Sequence, residues 1–256
     1  MNLFSADIVD RFMVLLYPLF RVAAMMMSAP LFSLEVANAR IRIGLAMALV
    51  LLIQPQFSWP TVDPFSEAGL MSLFNEIAIG LFTGMSLQIV ASAMVLAGQL
   101  ISGAMGLSLA NLIDPNLGNV PVISQALLVF GTLLFLALGG HVIIIELIVE
   151  SFRHLPVGIP RLGLDTIQDL LRWSSMVFLG GFLLALPVLA ALLIANLGLG
   201  VMTRTAPSLN VFVVGLPATI VLGLLVLMVT TGATASRMHW LWLRGFDTAR
   251  RLLGVG

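Results

Sequence analysis

Three stretches of this chain are too long and too apolar for an ordinary soluble fold. No charged residue occurs between Glu76 and Asp114, from 173 to 203, or from 205 to 236. A helix of about 31 residues is about 47 Å long, whereas the hydrocarbon core of a bilayer is about 30 Å thick. Tilt takes up only part of the difference. Two solutions remain: the helices break at membrane depth, or other protein covers much of their apolar surface.

Composition sets the class. The chain is 60% hydrophobic and 9% charged, against about 25% charged in soluble domains. It reads as an all-α integral membrane protein, one compact helical unit in 256 residues. Net charge is zero and every basic residue is arginine, spread from Arg11 to Arg251 with no basic run that would suit nucleic acid. The absence of cysteine excludes disulfides, thiolate catalysis and zinc–thiolate or iron–sulfur sites. The segment MNLFSADIVDRFMVLLYPLFRV has no basic leader and no small-x-small cleavage pattern, so it is expected to stay as the first helix.

Six apolar stretches follow, at 8–29, 36–55, 68–105, 122–149, 166–202 and 208–243, separated by segments rich in Pro, Gly, Asn and Asp. Pro187 and Pro217 lie inside the last two. Each removes a backbone hydrogen bond and crowds the preceding turn, which makes either an ordinary kink or a bend that lets a helix pair lean across partner subunits. Gly80 and Gly84 form a GxxxG pair, followed by Gly98 and Gly103; such small residues permit close helix contact, within the chain or between chains. Gly139–Gly140 and Gly180–Gly181 are read in the same way. The arginine distribution favours a cytoplasmic N-terminus.

The titratable inventory is thin. Glu146 and Glu150 share a helical face, and form either an ion-paired helix end or part of a proton or cation path. Arg21, deep in an apolar run, either snorkels or pairs with an acid such as Glu35. Glu76 is either a helix-entry acid or a contact to an arginine on a partner helix. Met25–Met26–Met27 point to different faces and suit core packing rather than copper. No metal spacing, phosphate loop or GxSxG motif is present, so no catalytic, metal or cofactor site is expected.

One segment interrupts the apolar pattern, GAMGLSLANLIDPNLGNVP at 103–121. Its residues alone permit a passive loop between the third and fourth helices.

Four stretches resemble the FliR family of flagellar export proteins, which extends to the matching subunit of virulence type III secretion systems. They are FRVAAMMMSAPLFSLEVANARIRIGLAMAL (20–49), NEIAIGLFTGMSLQIVASAMVLAGQLISGAMGLSLANLIDP (75–115), HLPVG (154–158) and APSLNVFVVGLP (206–217). The G-x-x-x-A-x-x-x-D-P pattern at 106–115 is the more specific landmark. Many members carry a proline just before the arginine pair where this chain has VANARIR, a departure confined to one loop.

The resemblance implies a non-enzymatic export-gate subunit of the bacterial inner membrane and flagellar basal body. It would assemble with P-type and Q-type subunits (FliP, FliQ), five and four around one R-type chain, with part of the assembly on the periplasmic side of the membrane plane. An FlhB-type switch protein, exported flagellar proteins and membrane lipid are the further partners. The implied architecture is about six kinked helices arranged as helical hairpins, with a P-type-like half at 1–152 and a Q-type-like half at 153–256. Glu76, Arg204 and Asn210 are candidate inter-subunit contacts.

The 106–120 loop would plug the closed pore. Gly106 and Gly118 soften its backbone and Pro115 stops helix propagation. Met105, Leu107, Leu109, Leu112, Ile113 and Leu117 make seal contacts, and Asp114 faces water or caps a turn. The alternative from another class is a small-solute secondary transporter with Pro187 and Pro217 breaking helices around a midplane site. An intramembrane enzyme is disfavoured by the missing nucleophile.

Overall fold

The computed structural model describes residues 2–30, 38–57, 59, 66–107, 121–158, 163–205 and 211–255. Among these there is no strand; the elements are α1 (Asn2–Ser28), α2 (Ala39–Ile53), α3 (Glu67–Ala104), α4 (Val122–Ala137), α5 (Gly140–His154), α6 (Leu164–Ser174), α7 (Met176–Thr205) and α8 (Val211–Leu252). The all-α membrane class therefore holds. Glu67–Ala104, Leu164–Met202 and Gly215–Leu252 are each long and apolar enough to cross a membrane.

The helix boundaries follow local chemistry. Ser66 caps α3 by accepting the amide of Gly69 at 3.0 Å, and Glu67 places its charge at the favourable end of the helix dipole. α2 runs into a 3-10 turn, Gln54–Gln56, at Pro55, and Trp59 ties down the chain beyond it by donating to the Gln54 carbonyl at 3.0 Å.

Two expected single helices are split. The stretch 122–149 is α4 and α5, separated at Leu138–Gly139, where Gly139 has φ +72°. A β-carbon at Gly139 would meet nothing within 4 Å, so this glycine serves a left-handed break rather than the close packing expected of it. The stretch 166–202 is α6 and α7, which part at Ser175. By contrast α7 and α8 continue as helix through Pro187 and Pro217.

The chain forms two compact units that alternate along the sequence. The first comprises Met1–Ile89, Gly139–Ser174 and Arg244–Gly256; the second comprises Val90–Leu138 and Ser175–Leu243. The first has a core of Tyr17, Met25, Met26, Leu87, Ile144 and Leu147. Met25 and Met26 pack inside it while Met27 stays exposed, as expected for neighbours on different helix faces. The second is built on Met94, Ile101, Met105, Phe135, Val188 and Trp242.

Coverage of the long apolar helices is uneven. The most apolar window of Glu67–Ala104 is 61% buried by the chain itself, while that of Gly215–Leu252 is 11% buried. The excess helix length is thus answered in part within the chain for α3 and hardly at all for α8.

Candidate functional site

The stub of the interrupting loop is a built helix stop in the second unit. The Met105 amide donates to the Ile101 carbonyl at 2.9 Å and the Gly106 amide to that of Gly103 at 3.0 Å. Gly106 then takes φ +78°, a left-handed turn that favours glycine and ends the helix. From α8, the Thr219 hydroxyl lies 3.1 Å from the Met105 carbonyl and 2.9 Å from its own Leu216 carbonyl, sharing one proton between them.

Side-chain packing fixes the same point. Met105 is fully buried, and its thioether fills the space that a β-carbon on Gly223 would need. A β-carbon on Gly106 would run into Leu216. Beside this junction lies a cavity of about 320 Å³ lined by Gly103, Asn196, Gly200, Leu216 and Thr219 among others. Met105 and Gly106, expected to seal and to soften a plug, sit at this packed junction, and Leu107 follows half-buried. Leu109, Leu112, Ile113, Asp114, Pro115, Leu117, Gly118 and Asn210 lie outside the described residues.

The first unit holds a buried polar centre. Arg21 of α1 and Glu76 of α3 meet at 2.5 Å, both fully enclosed. The Arg21 guanidinium also donates to the Ser151 carbonyl at 2.8 Å and lies 4.4 Å from the centre of the Phe152 ring, a cation–π distance. Arg21 does not snorkel, and Glu76 makes the contact to an arginine on a partner helix that the sequence allowed, here within the chain. Phe57 and Trp59 pack on Phe152 at 6.0 and 5.2 Å, closing the cluster. Glu146 and Glu150 are ion-paired, but with Arg250 of α8, at 3.2 and 3.9 Å.

The expected packing glycines divide. Gly80 and Gly84 face the α1 backbone at Arg21 and Met25 and the side chains of Ala24 and Ser28, leaving no room for a β-carbon. Gly98 touches the backbone of Ser124 on α4 just as closely. Gly103 has nothing within 4 Å of its β-carbon position among the described residues and borders the cavity. Arg204 is exposed in the last turn of α7.

Pro187 explains a contact that sequence reasoning missed. The helical partner of the Leu183 carbonyl would be the amide four residues on, and proline has none. Arg237 of α8 fills that vacancy, donating from Nη1 to the Leu183 carbonyl at 2.5 Å. Trp242 was also missed. It is buried, donates to the Gly131 carbonyl at 3.0 Å and packs on Phe135 with ring centres 4.7 Å apart.

Long apolar helices and a polar centre enclosed among them define a helical membrane protein. The family described as bacterial export proteins, family 1, matches residues 12–244, and the chain belongs to it. It is similar to the flagellar biosynthetic protein FliR of Pectobacterium carotovorum subsp. carotovorum, 36% identical over 224 residues that cover 87% of this chain and 86% of that protein. The FliR of Escherichia coli (strain K12) is 37% identical over 209 residues, 81% of this chain and 80% of its own. That of Bacillus subtilis (strain 168) is 30% identical over 253 residues, 97% and 98% of the two chains. This is a family of export proteins, not of enzymes.

Proposed function

We propose that the chain is a structural and gating subunit of the flagellar protein export gate in the bacterial inner membrane. The carrying observation is its similarity, over nearly all its length, to proteins named flagellar biosynthetic protein FliR. With P-type and Q-type subunits, five and four to one of this chain, it forms the channel through which unfolded flagellar proteins leave. An FlhB-type switch protein joins it, and part of the assembly stands on the periplasmic side of the membrane plane. Residues 1–152 act as the P-type-like half and 153–256 as the Q-type-like half.

The barely covered apolar window of Gly215–Leu252 supports burial by other subunits. In lipid or against protein, such a surface is stable only where no polar backbone is exposed to hydrocarbon.

The loop 106–120 plugs the closed channel. The anchored stub supports this reading: a plug has to be held at its base and free of helix commitment beyond it. Deleting Leu107 to Val120 is expected to leak ions across the inner membrane while the complex still assembles. An intact barrier in that deletion shows a passive loop. Co-purification of two smaller hydrophobic proteins with this chain is the matching test of the assembly; a monodisperse monomer contradicts it.

A further inference from the structure

Within the second unit, α7 and α8 enclose a groove of about 330 Å³ lined by Gly180, Leu184, Ser236, Arg237, Trp240 and Leu241, among others. We infer that this groove binds an anionic phospholipid, with the phosphodiester on Arg237 and an acyl chain against Gly180, Leu184 and Leu241.

Arg237 is placed for a headgroup. It is the first charge on α8 after the uncharged run from 205 to 236, and Trp240 follows one turn later, 41% exposed. Arginine and tryptophan at the end of an apolar run mark the boundary between hydrocarbon and water. Basic pockets between membrane helices on such a boundary suit lipid phosphates.

The guanidinium is also held in place. One of its five N–H groups is spent on the Leu183 carbonyl, which fixes the fork and leaves donors for a phosphate. Fixing a binding group beforehand lowers the entropic cost of binding.

The apolar walls decide between ligands. Gly180 lets α7 approach α8 closely at the groove floor: a β-carbon there would sit 3.0 Å from Leu241. Leu183 and Leu184 on α7 and Leu241 on α8 line the groove beside Arg237, an aliphatic wall suited to an acyl chain. A soluble anion leaves those walls wet; a neutral hydrocarbon leaves Arg237 without a counter-charge. A lipid phosphodiester satisfies both.

The test is native mass spectrometry of the full chain, purified from membranes in mild detergent with the subunits that accompany it. Phosphatidylglycerol, phosphatidylcholine and inorganic phosphate are added in separate arms. Phosphatidylglycerol is expected to bind, about fivefold more weakly in Arg237→Gln, the factor for one basic side chain at an anionic lipid surface. Ser236→Trp keeps Arg237 and is expected to lose the lipid by filling the groove from its exposed side, with helicity by circular dichroism unchanged. Equal binding in either variant, phosphatidylcholine binding as tight, or displacement by inorganic phosphate overturns the assignment, as does wild-type protein that takes up no phosphatidylglycerol.

Discussion

Arg21 and Glu76 are 55 residues apart in sequence and 2.5 Å apart in space, with 2% and none of their side chains exposed. Removing each charge from water costs several kcal/mol, on the order of what their attraction returns. Glu76 Oε1 and Arg21 Nη2 have no hydrogen-bond partner among the described residues. The pair joins three helices: Arg21 of α1 reaches both Glu76 of α3 and the Ser151 carbonyl at the end of α5.

Breaking one partner leaves the other buried and uncompensated. Arg21→Met or Glu76→Leu alone is expected to lose about 3–5 kcal/mol of stability. The double variant is expected to lose less than either single one. Thermal unfolding in detergent measures all three; additive losses in the double variant contradict the coupling.

The glycines make a paired prediction. Gly84→Leu forces a side chain into the α1 backbone at Met25 and the Ser28 side chain, and is expected to abolish accumulation of the protein in membranes. Gly103→Ala meets open space and is expected to be neutral or to stabilise by up to about 1 kcal/mol, the helical advantage of alanine. Immunoblots of membrane fractions compare them, and equal loss in both would deny the distinction.

Helical class and most boundaries were legible because long uncharged runs alternate with Pro, Gly, Asn and Asp clusters. The break at Gly139 was not, since Gly139–Gly140 carries the same letters as a packing pair; only its positive φ distinguishes it. Arg21 and Glu76 were each conspicuous, and treating the two costliest charges in apolar surroundings as partners would have joined them. Thr219, Gly223 and Trp242 gave no such signal. Each acts on a residue more than a hundred positions away, and one sequence does not encode that pairing visibly.

If the loop is a plug, loosening its anchor should loosen the seal. Gly106→Ala puts a β-carbon into Leu216 and into a left-handed conformation that costs about 1–2 kcal/mol. Gly223→Leu displaces Met105. Both are expected to raise resting ion leak across the inner membrane with the complex assembled. Thr219→Val, which removes one hydrogen bond of about 1 kcal/mol, is expected to leak less than either. Conductance in reconstituted bilayers ranks the three; a tight barrier in all of them separates the anchor from any sealing role.

Pro187 and Arg237 should be energetically coupled through a carbonyl neither of them owns. In the native chain Arg237→Gln weakens the hydrogen bond that Leu183 accepts from beyond its own helix, and is expected to cost about 1 kcal/mol, since the arginine is partly solvated. Pro187→Ala supplies the missing amide, so the same change there is expected to cost much less. Interaction energies between residues sharing a partner commonly run from about 0.5 to 3 kcal/mol, large enough to resolve by thermal unfolding of the four proteins in one detergent. An equal cost of Arg237→Gln in both backgrounds would show that the arginine is held by something other than the gap the proline leaves.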